Sequence, residues 1–240
     1  MASELPKALL VDMDDTILSY EAVGERCWRE ACLRFAPQVT GLDPEGLLGA
    51  IMASLAEYWH DPERNRRGRL DLGAARREIV SAAFTRLKVD APVVQNGIAD
   101  LFTEIREYAV EAIPGAIEAL HILRRAGVRL ALITNGASQP QRAKIQRFNL
   151  APLFESILVE EEFGAGKPEP QVYLHSLEQI DAKPSEAWMV GDNLEFDVEA
   201  PQKLGIKGIW VDWQAGGLPV ASAVRPDRIV NRLSKLVDGI

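Results

Sequence analysis

Cysteine and histidine are scarce in this sequence. Its 240 residues include two cysteines and three histidines. A structural zinc site normally takes four nitrogen or sulfur ligands, and the histidines are scattered without the spacing of a metal motif or a catalytic triad. Cys27 and Cys32 fall on different faces of a predicted helix. We therefore expect two reduced thiols rather than a disulfide or a zinc site.

Positive charge and long apolar runs are also lacking. There are 27 Lys and Arg residues against 35 Asp and Glu, which gives a net charge of -8. This charge argues against an extended basic surface for nucleic acid and leaves room only for a local cationic pocket. No apolar run approaches the ~18 residues of a membrane span, and the start of the chain, MASELPKALLVDMDD, carries acidic residues in place of the apolar core of a signal peptide. We expect a soluble cytoplasmic protein that binds neither nucleic acid nor membranes.

Short apolar runs bounded by turn residues recur along much of the chain and alternate with amphipathic stretches. This alternation is typical of βαβ units and a parallel sheet. The apolar runs are KALLVD, RLALITN, SILVE, AWMVGD and KGIWVD, with a weaker DRIV before a possible last helix. The predicted crossover helices are 115–126, 140–148, 170–180 and 196–204. The fold class we predict is α/β, with a Rossmann-like parallel-sheet core.

Residues 20–112 follow a different pattern. Apolar residues recur there at helical spacing, and no strand-like run interrupts them. Breaks rich in Pro, Gly, Asp and Asn separate the helices at APQVTGLDPEG, HDPERNRRGRLD and KVDAPVVQNG. We predict a helical domain at 20–112, inserted into a core formed by 1–19 and 113–240.

Polar residues follow several of the predicted strands. Parallel α/β sheets bind ligands at the carboxyl ends of their strands, so these residues should converge on one site. They are Asp12 and Asp14, then Thr134, Asn135 and Gly136, then Lys167, and finally Asp192 and Asp197. Carboxylates with one lysine and one hydroxyl suit a metal and a phosphate group, and Mg²⁺ prefers oxygen ligands.

Four segments, in order, carry a resemblance to a known family. DMDDT, ITNGAS, GKPEPQVY and VGDNLEFD closely resemble the four motifs of the haloacid dehalogenase-like hydrolases, the phosphatase branch in particular. The resemblance covers essentially the whole chain, and the insertion at 20–112 falls where that family places its C1-type helical cap. It implies a Mg²⁺-dependent phosphatase that hydrolyses a small phosphorylated metabolite through an aspartyl phosphate.

The resemblance implies a role for each catalytic residue. Asp12 would be the nucleophile that attacks phosphorus and forms the aspartyl phosphate. Asp14 would protonate the leaving alcohol and then deprotonate the attacking water. Lys167 would neutralise the charge of the nucleophile and the phosphate oxygens.

Metal binding is implied in the same way. Asp12, Asp14 through its backbone carbonyl, and Asp192 would bind Mg²⁺, with Asp197 orienting a water or the lysine from behind. The metal would be the counter-ion that lets neighbouring carboxylates share one site.

Phosphate binding is implied for Thr134, through its hydroxyl, with backbone N–H groups around Asn135 and Gly136 as further donors. GAGKPEP is not a nucleotide-binding P-loop, because Glu161 stands where that loop needs Gly and Pro168 where it needs Ser or Thr. The acidic run at 160–162 is interpreted as a solvated loop.

Other functions remain open at this point. Dehalogenases of the family do not need the second aspartate, so Asp14 favours phosphoryl chemistry over cleavage of a carbon–halogen bond. Phosphomutases share the first motif, and a non-catalytic module that binds phosphate is a further alternative.

Substrate specificity is assigned to the inserted domain. Arg66 and Arg69 lie in a predicted loop, where they either contact an anionic group of the substrate or are simply solvated. Tyr20 and Trp28 either line the substrate cleft or pack in an apolar core.

Overall fold

The computed structural model describes residues 5–238, which divide into two compact units. The α/β unit takes in the chain up to Ser19 and from Glu111 onward, and the helical unit is Tyr20–Val110. Glu111–Ala112, the last two residues of the predicted insertion at 20–112, pairs as a short antiparallel strand with Leu18–Ser19, and neither strand was predicted.

The α/β unit is built on a six-stranded parallel sheet, which confirms the predicted fold class. The strands of the unit are β1 Ala8–Val11, β2 Leu18–Ser19, β3 Glu111–Ala112, β4 Arg129–Thr134, β5 Ser156–Val159, β6 Ala187–Gly191, β7 Lys207–Val211 and β8 Arg228–Val230. The sheet has the order β5-β4-β1-β6-β7-β8, and β2 pairs with β3 separately. All four residues of β1 are buried, as expected for a central strand covered on both faces.

The helical unit contains five helices: α1 Gly24–Phe35, α2 Pro44–His60, α3 Pro62–Leu70, α4 Leu72–Leu87 and α5 Pro92–Ala109. Helix α3 corrects the sequence prediction, which placed a loop there. Asp61 and Pro62 start this helix rather than break one, because the Asp61 carboxylate accepts the Arg64 N–H at 2.8 Å and Pro62 takes the first helical position. Cys27 and Cys32 are both free and buried on α1.

The crossover helices of the α/β unit are α6 Ala116–Arg125, α7 Ser138–Arg147, α8 Glu160–Phe163, α9 Pro170–Gln179 and α10 Ala200–Gln202. A π-helical turn, Leu194–Glu199, precedes α10 where one α-helix was predicted. A 3₁₀ turn, Leu233–Leu236, follows β8. Among residues 5–238, the helices are all too short or too polar to cross a lipid bilayer.

The strand register sets the position of the functional residues. Val11, the last residue of β1, is level with Leu132 of β4 and with Val190 of β6. The Asp12 N–H donates to the Val190 carbonyl at 3.0 Å, so β1 continues its pairing to the first acidic residue. The ends of these three strands therefore lie side by side at one edge of the sheet.

Candidate active site

Asp12 and Lys167 form the centre of the site. The Lys167 Nζ donates to Asp12 Oδ1 at 2.5 Å and to Asp197 Oδ1 at 2.7 Å. Only 2% of Lys167 is exposed. Burial alone would lower the pKa of Lys167, but the charges of Asp12 and Asp197 outweigh it and raise that pKa. The lysine is therefore held as an ammonium ion between two carboxylates.

Asp192 completes a cluster of three carboxylates. Oxygen atoms of Asp12, Asp192 and Asp197 all lie within 4.8 Å of one another. Burial, and after it the charge of Asp12, raises the pKa of Asp192. With Lys167 as the cation in contact, the ionised cluster has two more negative charges than positive ones. Hard oxygen donors with this excess fit a divalent cation such as Mg²⁺.

A glycine and a local hydrogen bond place Asp197. A Cβ atom at Gly191, the last residue of β6, would lie 2.2 Å from the Asp197 carboxylate, so only glycine leaves room for it. The Asn193 N–H donates to Asp197 Oδ2 at 3.0 Å, and the Asn193 side chain caps the π-helical turn. The position of Asp197 is thus fixed by the chain that leaves β6.

Asn135 holds the segment that carries Lys167. Its Nδ2 donates to the Lys167 carbonyl at 2.8 Å, and its Oδ1 accepts the Lys167 N–H at 2.8 Å. This reciprocal pair joins the end of β4 to the loop before α9. The Asn135 side chain is therefore a positioning group, a function that the sequence pattern did not reveal.

Two residues of α7 that were not predicted contact the site. Gln141 Nε2 donates to Thr134 Oγ1 at 2.5 Å and to Asp14 Oδ2 at 3.1 Å. Lys144 Nζ donates to both Asp14 oxygens, at 2.6 and 2.5 Å. Gln141 and Lys144 are three residues apart in the helix that follows ITNGAS, so they lie on the same face of α7. This spacing is the signal by which the sequence could have indicated them. Together they fix the Asp14 carboxylate.

Glu160 contradicts the interpretation of the acidic run as a solvated loop. It is 4% exposed, and its Oε2 accepts the Gly136 N–H at 2.8 Å. Glu161 accepts the Ser138 N–H at 2.6 Å in the same way. The acidic run thus satisfies backbone donors at the start of α7. The Gly136 N–H, expected to bind phosphate, is committed to a carboxylate in this structure.

The helical unit contains the other predicted specificity residues. Trp28 is 1% exposed and stacks on Phe102 with ring centroids 3.5 Å apart, in agreement with the packing alternative. Tyr20 is half-buried beneath the Arg106 guanidinium. Arg66 is exposed on α3, and Arg69 donates to Asn65 within that helix at 3.2 Å.

Comparison with known proteins places the chain in a family. A family model for haloacid dehalogenase-like hydrolases matches residues 6–205. The chain therefore belongs to the haloacid dehalogenase-like hydrolases, as its four motifs indicated. Glyceraldehyde 3-phosphate phosphatase of Methanocaldococcus jannaschii is 26% identical over 238 residues, which cover 97% of this chain and 96% of that protein.

Two further proteins illustrate the range of similarity. Phosphoserine phosphatase of Thermus thermophilus is 37% identical over 135 residues, 56% of this chain and 53% of that protein, so the match spans about half of each. Among solved structures, the magnesium-bound HAD hydrolase YfnB from Bacillus subtilis has a TM-score of 0.74 at 22% identity, with 97% of both chains covered. This structural likeness supports the fold.

Proposed function

We propose that the chain is a Mg²⁺-dependent phosphatase that hydrolyses a small phosphate monoester through an aspartyl phosphate. The observation that carries the proposal is the ion pair of Asp12 with Lys167, next to an Asp14 carboxylate that Gln141 and Lys144 hold in place. In chemical class the chain is a phosphoric monoester hydrolase. Its named relatives include phosphatases for different esters, which supports the class without selecting a substrate.

The first half-reaction uses Asp12 and Asp14. A carboxylate oxygen of Asp12 attacks phosphorus, a bond forms between them, and the bond from phosphorus to the leaving oxygen breaks. Asp14 donates its proton to that oxygen, so the product leaves as a neutral alcohol. Lys167 stays hydrogen-bonded beside Asp12 and counters the charge that gathers on the phosphoryl oxygens.

The second half-reaction removes the phosphoryl group. Asp14 takes a proton from water, which attacks the aspartyl phosphate and releases inorganic phosphate and the free Asp12 carboxylate. Asp14 is again protonated, ready for the next ester. Gln141 and Lys144 bind the ionised Asp14 carboxylate, so they orient it for the step in which it takes the proton from water.

Metal and phosphate would share the edge of the sheet. Mg²⁺ would be held by the Asp12 and Asp192 carboxylates and the Asp14 carbonyl, with Asp197 behind them; when bound it supplies Lewis-acid charge to the phosphate oxygens. The Asp192 backbone is anchored, because Trp210 Nε1 donates to its carbonyl at 2.7 Å. Thr134 and the Asn135 N–H would bind the phosphoryl group.

We also infer the setting in which the protein acts. The substrate is a small phosphorylated metabolite in the cytoplasm, and neither nucleic acid nor a membrane takes part. The net charge of -8 supports this inference, since a surface that binds nucleic acid or an anionic membrane would need clustered cations.

Phosphate release from a panel of monoesters tests the proposal. We expect release in Mg²⁺, no release in EDTA, and a loss of at least about 1,000-fold in Asp12→Asn. Asp181→Asn is the matched control, because Asp181 is an exposed aspartate in a surface ion pair. Release that persists in Asp12→Asn would exclude the aspartyl phosphate, and no release from any ester would exclude phosphatase activity.

A further inference from the structure

Two arginines are buried inside the helical unit. Arg76 of α4 is 9% exposed and Arg106 of α5 is 8% exposed. Both guanidinium groups lie over aromatic rings: Arg106 is 3.8 Å from the Tyr20 centroid, and Arg76 is 5.1 Å from that of Phe102. Buried arginines usually pair with a carboxylate. The hydrogen-bond partners of Arg76 and Arg106 therefore show whether their charges are compensated within the protein.

The hydrogen bonds of Arg76 go to hydroxyl groups. Nη1 donates to Thr103 Oγ1 at 2.9 Å and Nη2 to Tyr20 OH at 3.3 Å. The Thr103 hydroxyl gives its own proton to the Ala99 carbonyl, so it only accepts from the arginine. Burial lowers the pKa of Arg76, and the charge of Arg106 lowers it further, while Tyr20 and then Glu107 act in the opposite direction.

Arg106 has no hydrogen-bond acceptor among residues 5–238. Its Nε is enclosed without a partner, and so is Nε1 of Trp28, whose ring stacks on Phe102. Stacking on Tyr20 satisfies the face of the guanidinium but leaves the N–H groups in its plane unused. A buried donor without an acceptor costs about 1–3 kcal/mol, so this arrangement calls for an acceptor.

The first residue of α1 also contacts Arg106. A Cβ atom at Gly24 would lie 2.8 Å from Arg106 Nη1. The arginines of the helical unit in ion pairs with carboxylates include Arg67, Arg77 and Arg86, whereas the charge of Glu107 acts on Arg76 only as a minor effect on its pKa.

We propose that the helical unit contains an oxyanion site formed by Arg106 and Arg76, with Tyr20 as the stacking platform. A carboxylate or phosphate group supplies the acceptor that Arg106 lacks, and the planar guanidinium binds it through two parallel hydrogen bonds. The anion is a free carboxylate or phosphate, such as inorganic phosphate.

Binding of inorganic phosphate, measured by calorimetry without metal, tests the proposal. We expect one more phosphate per chain in the wild-type protein than in Arg106→Met, and the wild-type number in Arg77→Met. Arg77 is the matched control because it lies on α4, next to Arg76, in an exposed ion pair with Asp100. This measurement needs no catalytic activity, so it stands even where the proposed phosphatase reaction fails.

Arg106→Lys keeps the charge without the planar fork of the guanidinium, so it should bind phosphate more weakly than the wild-type protein does. This variant covers the case in which Arg106→Met does not fold. Equal phosphate stoichiometry and affinity in the wild-type protein and in every folded Arg106 variant would overturn the proposal.

Discussion

The two units of the molecule surround their buried positive charges with different partners. In the α/β unit, Lys167 donates to two carboxylates, and the remaining negative charge suits a divalent cation. In the helical unit, Arg106 is stacked on rings and has no hydrogen-bond acceptor among the described residues. Burial is similar in both cases, so the difference lies in the partners.

This contrast separates charges that the fold requires from charges that await a ligand. Removing one member of a buried, fully paired ionic group leaves its partners uncompensated and strongly destabilises a protein. Removing a buried cation that has no counter-ion takes away a desolvation cost instead. The two units should therefore respond differently to the same substitution.

Lys167→Met should have the largest effect. Three neighbouring carboxylates lose their cation, so we expect the free energy of unfolding to fall by about 3–5 kcal/mol and kcat by at least about 1,000-fold. Urea unfolding and phosphate release measure the two quantities. Lys203→Met is the control, since Lys203 forms an exposed ion pair with Glu199. An active Lys167→Met enzyme of unchanged stability would show that the lysine is dispensable.

Gly191→Ala should break the carboxylate cluster without removing a charge. The added Cβ would meet the Asp197 carboxylate at 2.2 Å and displace it. Overpacking costs about 1–3 kcal/mol, and misplacement of a catalytic group by ~1 Å costs ~100-fold in rate. Thermal unfolding and kcat check both, with Gly216→Ala as the control because no atom lies within 4 Å of its added Cβ. Wild-type kinetics in Gly191→Ala would contradict a role for the Asp197 position.

Gln141→Leu should have a moderate effect confined to the chemical step. The substitution removes the hydrogen bonds to Asp14 and Thr134 at nearly constant volume. We expect kcat to fall by ~10–100-fold with KM changed by less than about threefold, because orientation rather than ester binding is lost. Gln146→Met, at an exposed site of the same helix, should keep wild-type kinetics. A change in KM alone would assign Gln141 to substrate binding.

The sequence predicted the elements whose pattern is local. Strands such as β1 and β4 are buried on both faces and read as continuous apolar runs, and the acidic residues Asp12 and Asp192 follow such strands directly. Helix α3 was missed because Asp-Pro serves equally as a break and as a helix start. Only the capping hydrogen bond to Asp61 distinguishes the two.

Contacts between distant elements could not be read in this way. Lys144 meets Asp14 because α7 packs beside the end of β1, a relation that depends on the topology of the sheet. Glu160 was misinterpreted because acidic runs are usually solvated, whereas here the run faces backbone N–H groups. Arg76 and Arg106 lie on different helices, and nothing in their local sequence indicates that both guanidinium groups lie over the Phe102 ring.

Arg106→Met gives the smallest expected effect and the sharpest contrast with Lys167→Met. Methionine keeps the apolar contact with Tyr20 and Phe102 and removes a charge that has no acceptor, so the free energy of unfolding should change by less than about 1 kcal/mol. Urea unfolding without phosphate measures it, with Arg77→Met as the reference. A loss as large as that in Lys167→Met would mean that the helical unit depends on its buried cation for folding, and the contrast between the two units would not hold.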